Sequence, residues 1–174
     1  MKSRGLIMVH TGHGKGKTTA ALGLAFRAFG HELPVCIIQF IKGDWRYGEL
    51  KSAERFADLL EWHVSGEGFT WKGKDLDHHR QAAIHGWELA KSVIEAGRHH
   101  LVILDEFTYA LRYGMVEESE AIRALLQKAP ALNVLVTGRD APESLLEIAD
   151  LVTEMREVKH PFKNGTKGQK GVEF

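Results

Sequence analysis

Short apolar runs that alternate with helical patterns constrain the fold of this chain more than any other feature of its sequence. The four clearest runs lie at residues 6–9, 35–40, 101–104 and 132–136, and weaker strand patterns lie at 61–64 and 151–158. Runs of this kind are typical of parallel strands that are covered by helices on both sides. The mixed apolar and charged pattern at 151–158 predicts a strand near an edge of the sheet.

Helical patterns separate these runs, at residues 17–29, 49–59, 76–96, 117–127 and 142–148. The alternation predicts an α/β fold: a mostly parallel sheet of about six strands with helices on both faces. A chain of 174 residues has the size of one ordinary domain, and no repeat or linker divides it, so we expect a single domain over residues 1–174. Hydrophobic residues at 44% and charged residues at 26% exclude disordered and disulfide-scaffold classes.

A glycine-rich segment follows the first predicted strand and opens the first predicted helix. Residues 11–19 read Thr-Gly-His-Gly-Lys-Gly-Lys-Thr-Thr. Glycines let backbone N–H groups turn toward a phosphate, and the helix N-terminus adds partial positive charge. The loop is one residue shorter than the usual Walker A pattern. The segment predicts a phosphate site formed by Gly12, His13, Gly14, Lys15, Gly16, Lys17, Thr18 and Thr19, with Lys17 on the phosphates and Thr18 able to ligate Mg²⁺.

Two acidic residues and an arginine follow later strands of the same predicted sheet. Asp105 and Glu106 end the apolar run at 101–104, as in a Walker B segment, and Arg139 follows the run at 132–136. Ligands of open α/β sheets bind at the carboxyl ends of the strands. We therefore expect Asp105 and Glu106 to reach Mg²⁺ and Arg139 to contact phosphate; a surface arginine in a turn is the alternative for Arg139.

The charge balance and cysteine content limit the possible partners. Lysine and arginine total 23, as do aspartate and glutamate, which gives no reason to expect nucleic acid or a membrane as partner. No apolar stretch approaches the ~18 residues of a membrane span. The only cysteine, Cys36, cannot form an intramolecular disulfide, and this favours a reducing, cytoplasmic location.

The histidines and two of the tryptophans have simpler interpretations. The chain has ten histidines, among them the adjacent pairs at 78–79 and 99–100, whose side chains should diverge. Because one cysteine leaves no thiolate cluster, we do not expect a zinc site. We expect Trp62 and Trp87 to belong to the core.

The ordered motifs of this chain resemble those of the P-loop ATP:corrinoid adenosyltransferases. The resemblance spans nearly the whole chain, and the shortened phosphate loop is itself a mark of that family. Beyond the loop it rests on the segments at 68–71 (Gly-Phe-Thr-Trp), 102–109, 137–139, 149–154, 158–162 and 169–174. The sequence departs from the family at His13, where members commonly carry Asn or Asp.

The resemblance implies a RecA-like P-loop fold and transfer of the 5'-deoxyadenosyl group of ATP to the cobalt of a reduced corrinoid, with release of triphosphate. It implies that residues 12–19 hold the triphosphate, that Lys17, Thr18 and Glu106 serve the reaction, and that Mg²⁺ is bound by Thr18 and Glu106 beside Asp105. Phe69 and Trp71 match the aromatic pair under the corrin ring. A homodimer and a reductant protein such as a flavodoxin are implied partners.

Two alternatives of different classes remain open at this point. A P-loop kinase or ATPase would use Glu106 to activate a hydroxyl or water for attack at the γ-phosphate and would produce ADP. A non-enzymatic carrier would bind nucleotide or corrinoid without turnover. The identity of the phosphate product separates these possibilities.

Overall fold

A six-stranded sheet forms the frame of the protein in this computed structural model, which describes residues 4–40, 48–65 and 76–172. All of its strand pairs are parallel, and their order is β3-β2-β4-β5-β1-β6. The strands are β1 (Ile7–Thr11), β2 (Val35–Gln39), β3 (Leu60–Val64), β4 (Leu101–Asp105), β5 (Asn133–Thr137) and β6 (Leu151–Glu154). The predicted α/β class and the predicted number of strands are confirmed.

Helices connect the strands and cover both faces of the sheet. They are α1 (Lys17–Phe29), α2 (Gly48–Ala53), α3 (Leu76–Ala96), α4 (Phe107–Arg112), α5 (Glu118–Leu126) and α6 (Glu143–Ile148). Two 3-10 turns lie at Glu54–Phe56 and Pro161–Asn164. Within these described parts of the chain, no helix is long and apolar enough to cross a membrane.

The core has two layers because alternate strand residues face opposite sides of the sheet. On β2, Ile37 belongs to the layer that packs against α1, whereas Cys36 and Ile38 belong to the layer with α3 to α6. All five residues of β2 and all five of β4 are buried. This double burial explains why the central strands read as apolar runs.

Three elements differ from the sequence-based expectations. The strand expected at 151–158 ends at Glu154, because its neighbour β1 stops at Thr11 and the next residue, Met155, turns across the phosphate loop. The helix expected at 49–59 is split into α2 and the 3-10 turn after it. Helix α4 was not predicted, since its sequence, Phe-Thr-Tyr-Ala-Leu-Arg, is short and rich in residues with weak helix propensity.

The strand ends that matter for function meet at one edge of the sheet. Four adjacent strands, β2, β4, β5 and β1, end in polar residues at their carboxyl ends. Gln39 lies directly opposite Asp105, and Thr137 lies opposite His10. The parallel topology therefore brings side chains from distant parts of the sequence to the start of α1.

Candidate active site

The phosphate loop joins β1 to α1 and has an unusual backbone. Gly16, which precedes the helix, has φ +112°, a value that side-chain-bearing residues rarely adopt. A Cβ on Gly14 would lie 2.6 Å from the carbonyl oxygen of Met155, and the Gly14 N–H donates to that oxygen at 2.6 Å. The loop is thus held closely against the chain that leaves β6: Gly14 is required for space, and Gly16 is required for its conformation.

Lys17 closes the loop on itself. Its ammonium group is buried, with only 6% of the residue exposed, and donates to the carbonyl oxygens of Gly12 at 2.7 Å and Gly14 at 2.8 Å. Burial lowers the pKa of Lys17, and the carboxylate of Glu106 acts in the opposite direction. A buried cation within a loop of this shape is well suited to bind an anionic group.

Asp105 is the centre of a hydrogen-bond network at the carboxyl edge of the sheet. Its Oδ1 accepts from the hydroxyls of Thr18 at 2.8 Å and Thr137 at 2.7 Å, and its Oδ2 accepts from Nε2 of Gln39 at 2.9 Å. Asp105 is almost fully buried, so these donors compensate for the loss of solvation of its carboxylate. Trp62 extends the network, because its indole N–H donates to Oε1 of Gln39 at 3.1 Å.

Glu106 follows Asp105 in a strained conformation. Its φ is +61°, and its backbone N–H donates to Oγ1 of Thr137 at 3.0 Å. Non-glycine residues in the left-handed region cost about 1–3 kcal/mol and cluster at functional sites. Burial raises the pKa of Tyr109, and the negative charge of Glu106 adds to this rise. Two carboxylates and the Thr18 hydroxyl form an oxygen donor set of the kind that Mg²⁺ prefers.

Arg139 and His13 lie on the outer side of the phosphate loop. Arg139 is exposed, contributes to the cavity described below, and lowers the pKa of Lys17 by charge repulsion. Its carbonyl oxygen accepts a hydrogen bond from Thr108, which fixes the backbone after β5. His13, where the sequence departs from the family pattern, lies with its Nε2 3.0 Å from Oδ1 of Asp140 on the neighbouring loop.

A cavity of about 890 Å³ extends away from the phosphate loop. Lys17, Thr18, Glu106 and Arg139 line one part of it, and apolar side chains of α1, β3 and the 3-10 turn before β3 line another. The apolar part is lined by Leu22, Phe26, Phe29, Phe56, Leu60 and Trp62. The cavity therefore joins an anion-binding region to an apolar wall without an intervening barrier.

Aromatic residues shape the apolar wall. The rings of Phe29 and Phe56 stack with their centroids 4.6 Å apart. Trp62 was expected in the core, but it is only half-buried and lines the cavity. Trp87, by contrast, is buried against Phe107 as expected. The chain near the C-terminus also reaches the cavity, through Glu157, His160, Gly171 and Val172.

The structure brings together the predicted residues of the phosphate loop, the acidic pair and Arg139. Sequence reasoning missed Gln39, Thr137 and Trp62, which hold or extend the Asp105 network. Their only sequence signal is that Gln39 and Thr137 are polar residues at the ends of strands next to the strand of Asp105. Phe69 and Trp71, predicted to contact a corrin ring, lie outside the described residues.

Comparison with known proteins is consistent with this geometry. A family model described as ATP:corrinoid adenosyltransferase BtuR/CobO/CobP matches residues 3–174. The chain belongs to this family.

Three curated members of the family show how close the similarity is. A corrinoid adenosyltransferase of Sinorhizobium is 46% identical over 173 residues, which cover 98% of this chain and 81% of the relative. A corrinoid adenosyltransferase of Pseudomonas aeruginosa is 44% identical over 172 residues, which cover 98% of this chain and 84% of the relative. The corrinoid adenosyltransferase CobA of Salmonella typhimurium is 39% identical over 173 residues, which cover 99% of this chain and 87% of the relative.

A solved structure supports the fold of this adenosyltransferase family member. The flagellar accessory protein FlaH of Methanocaldococcus jannaschii superimposes with a TM-score of 0.57 over 87% of this chain and 71% of the other. Its sequence identity is only 12%, so the likeness concerns the fold alone.

Proposed function

We propose that this protein transfers the 5'-deoxyadenosyl group of ATP to the Co(I) centre of a reduced corrinoid. The electron pair of Co(I) attacks C5' of the ribose and forms the Co–C bond. The C5'–O bond breaks, its electron pair remains on oxygen, and inorganic triphosphate leaves intact. No protein nucleophile is needed, so the protein acts by alignment and by neutralising charge on the leaving oxygen.

The observation that carries this proposal is the continuity of the cavity. One part offers Lys17 and Arg139 to a polyanion, and the adjoining part offers Phe29 and Trp62 to flat, largely apolar groups. A γ-phosphoryl transfer would place its reacting atom at the far end of the phosphate chain. Attack at C5' instead needs a second bulky substrate beside the ribose, and the apolar wall supplies a surface for it.

The phosphate loop is the proposed triphosphate site. Backbone N–H groups of residues 12–19 would bind the phosphate oxygens, and Lys17 would exchange its carbonyl contacts for phosphate contacts. Arg139 adds a second positive charge on the outer side of the loop. Lys15, Thr19 and His13 complete the proposed ATP-binding set, together with Gly12, Gly14, Gly16 and Thr18.

Mg²⁺ is a proposed cofactor because hard oxygen donors converge at one place. Thr18 and Asp105 are 2.8 Å apart, and Glu106 follows directly on the strand end, so these three residues would hold the ion. When bound, Mg²⁺ would neutralise part of the triphosphate charge. We expect Glu106→Gln to raise the Mg²⁺ concentration needed for half-maximal rate, with an unchanged melting temperature.

The proposed roles of Phe69 and Trp71 follow from the family resemblance. Their rings would exclude the axial ligand of a Co(II) corrinoid, which eases reduction to Co(I). Each ~59 mV gained in a one-electron potential raises the reduced fraction about tenfold. Phe69→Ala and Trp71→Ala should therefore still alkylate chemically prepared Co(I) but fail with Co(II) and a mild flavin-type reductant. Equal losses with both forms would mean that the rings only help to bind the corrin.

Product analysis tests the proposal directly. The protein is incubated with ATP, Mg²⁺ and chemically reduced corrinoid, and the phosphate product is identified. We expect triphosphate together with a light-sensitive Co–C bond, in equal amounts. Stoichiometric ADP would contradict the proposal and favour the kinase or ATPase alternative.

The remaining proposals concern the setting of the reaction. We propose that residues 1–174 act as one domain, that the protein works as a homodimer in the cytoplasm, and that a flavodoxin-like protein supplies the electron. Exposed apolar residues on the edge strand β6, Leu151 and Val152, support a dimer contact. Sedimentation in the presence and absence of ATP would establish the oligomeric state.

A further inference from the structure

A cluster of metal-ligating side chains lies on the sheet face opposite α1, away from the active-site cavity. Cys36 on β2 lies directly opposite Glu61 on the edge strand β3, and His63 is two residues further along β3 on the same face. One ligand atom from each of these three residues lies within 4.8 Å of the other two.

The Glu61 carboxylate lies between two imidazole rings. Its Oε1 is 2.6 Å from Nε2 of His63, and its Oε2 is 3.0 Å from Nε2 of His99, which precedes β4. The Cys36 thiol is buried, whereas the side chains of Glu61 and His63 are 46% and 33% exposed. The cluster is therefore closed on the side of the core and open on the side of solvent.

We propose that Cys36, Glu61 and His63 form a binding site for Zn²⁺. One thiolate sulfur, one imidazole nitrogen and one carboxylate oxygen are the donors that zinc takes, and a water on the open side completes four-coordination. His99 is a positioning residue: it holds the second oxygen of Glu61, as partners of metal-bound carboxylates do.

An ion-pair cluster would account for Glu61 and the two histidines but not for the thiol. Cys36 has no role in such a cluster, yet its sulfur lies within 4.8 Å of a possible ligand atom of Glu61 and of His63. Burial, together with the negative charge of Glu61, raises the pKa of the Cys36 thiol to about 12. Zinc binding therefore replaces the thiol proton, which passes to solvent as the S–Zn bond forms.

The site would attach the edge strand β3 to β2 by more than backbone hydrogen bonds. Trp62, which lines the active-site cavity from the other face of β3, lies between Glu61 and His63 in the sequence. Zinc is thus expected to stabilise the strand that carries this wall of the cavity. The inference does not depend on the proposed adenosyl transfer.

Absorption spectroscopy with Co²⁺ as a substitute for Zn²⁺ is the sharpest test. A thiolate-to-Co²⁺ charge-transfer band can come only from Cys36, because the chain has one cysteine. Excess Mg²⁺ is present to saturate the oxygen-donor site, which contains no sulfur. We expect a band that saturates at one equivalent of Co²⁺ and disappears on addition of one equivalent of Zn²⁺.

Variants assign the ligands. Cys36→Ala should abolish the band. His99→Gln should weaken Zn²⁺ binding by 10- to 100-fold with the band retained, and His63→Gln, on the edge strand, should weaken it further. His31→Gln, an exposed histidine outside the cluster, is the control and should bind Zn²⁺ normally. Zn²⁺ should also raise the melting temperature of the unsubstituted protein but not of His63→Gln.

Two results would overturn the proposal. One is the absence of a charge-transfer band at stoichiometric Co²⁺ in the folded protein. The other is Zn²⁺ affinity in His63→Gln equal to that in the His31→Gln control, which would mean that Glu61, His63 and His99 form only an ion-pair cluster.

Discussion

The hydroxyl of Thr18 lies 2.8 Å from Oδ1 of Asp105, which joins the first turn of α1 to the end of β4. The two residues are 87 positions apart in the sequence, and in the sheet β5 lies between β4, which ends at Asp105, and β1, which precedes the phosphate loop and α1. Thr137, at the end of β5, donates to the same oxygen at 2.7 Å. The phosphate loop and the acidic pair are therefore held together by the sheet before any ligand binds.

Replacement of Thr137 by valine tests this arrangement. The change keeps the side-chain shape but removes the donor to Asp105 and the acceptor of the Glu106 N–H. Leaving a buried polar group unsatisfied costs about 1–3 kcal/mol. We expect Thr137→Val to lower the free energy of unfolding by that amount and to slow adenosyl transfer. Thr153→Val, at an exposed position of β6, is the matched control. It should change neither the free energy of unfolding, measured by urea titration, nor the rate of adenosyl transfer.

Lys17→Ala tests the phosphate-binding role of the buried ammonium group. A charge-assisted hydrogen bond contributes about 1.5–3 kcal/mol, so we expect ATP affinity to fall by roughly 10- to 150-fold in calorimetric titration. The circular dichroism spectrum should be unchanged, because the sheet does not depend on Lys17. Arg27→Ala removes an exposed cation at the far end of α1 and should leave ATP affinity unaltered. Equal affinity in both variants would contradict the assignment.

Two glycines near the site should respond in opposite ways to alanine. At Gly14 a Cβ would approach the Met155 carbonyl oxygen to 2.6 Å, whereas at Gly23, within α1, the added carbon would meet no atom within 4 Å apart from its chain neighbours and the backbone of its own helix. Gly14→Ala should therefore displace the loop and weaken ATP binding. Gly23→Ala should raise the free energy of unfolding by about 0.5–1 kcal/mol, since alanine has the higher helix propensity. Chemical denaturation and ATP titration of both variants measure these effects.

The fold could be predicted largely from the sequence because strands buried on both faces leave an apolar signal that needs no tertiary information. The edge strands were harder. β3 has two polar residues, Glu61 and His63, on one face, and β6 is exposed along its length. Strand β6 ends at Glu154 because its partner β1 ends at Thr11. The end of β6 is therefore determined by the partner strand and cannot be predicted from residues 151–158 themselves.

Residues of the candidate site could be predicted only where they lie together in one continuous segment of the sequence. The phosphate loop and the acidic pair are such segments. Gln39 and Trp62 reach the Asp105 network because β2 pairs in register with both β3 and β4. No local sequence pattern indicates that register. The same register places Cys36 opposite Glu61, a pairing of possible metal ligands that the number and spacing of cysteines in the sequence do not indicate.

The pH dependence of stability should report on His10, which lies in β1 just before the phosphate loop. Burial lowers the pKa of His10, and a hydrogen bond to the backbone of Lys17 only partly opposes this. The unfolded chain, with an ordinary histidine pKa of about 6.5, therefore takes up a proton before the folded protein does. The contribution of neutral His10 to the free energy of unfolding is fully present above about pH 6.5. It is lost as the pH decreases through the lower pKa of the folded state. Glu61 and Glu120, whose pKa values are lowered by hydrogen-bonded partners, add their losses only at more acidic pH.

Urea unfolding of His10→Gln at a series of pH values from 8 to 5, without added metal, isolates this contribution, because glutamine takes up no proton in either state. We expect a flatter profile between about pH 6.5 and 5 than in the unsubstituted protein. His31→Gln, which replaces an exposed histidine, should keep the original slope. An identical slope in His10→Gln would show that protonation of His10 does not limit acid stability.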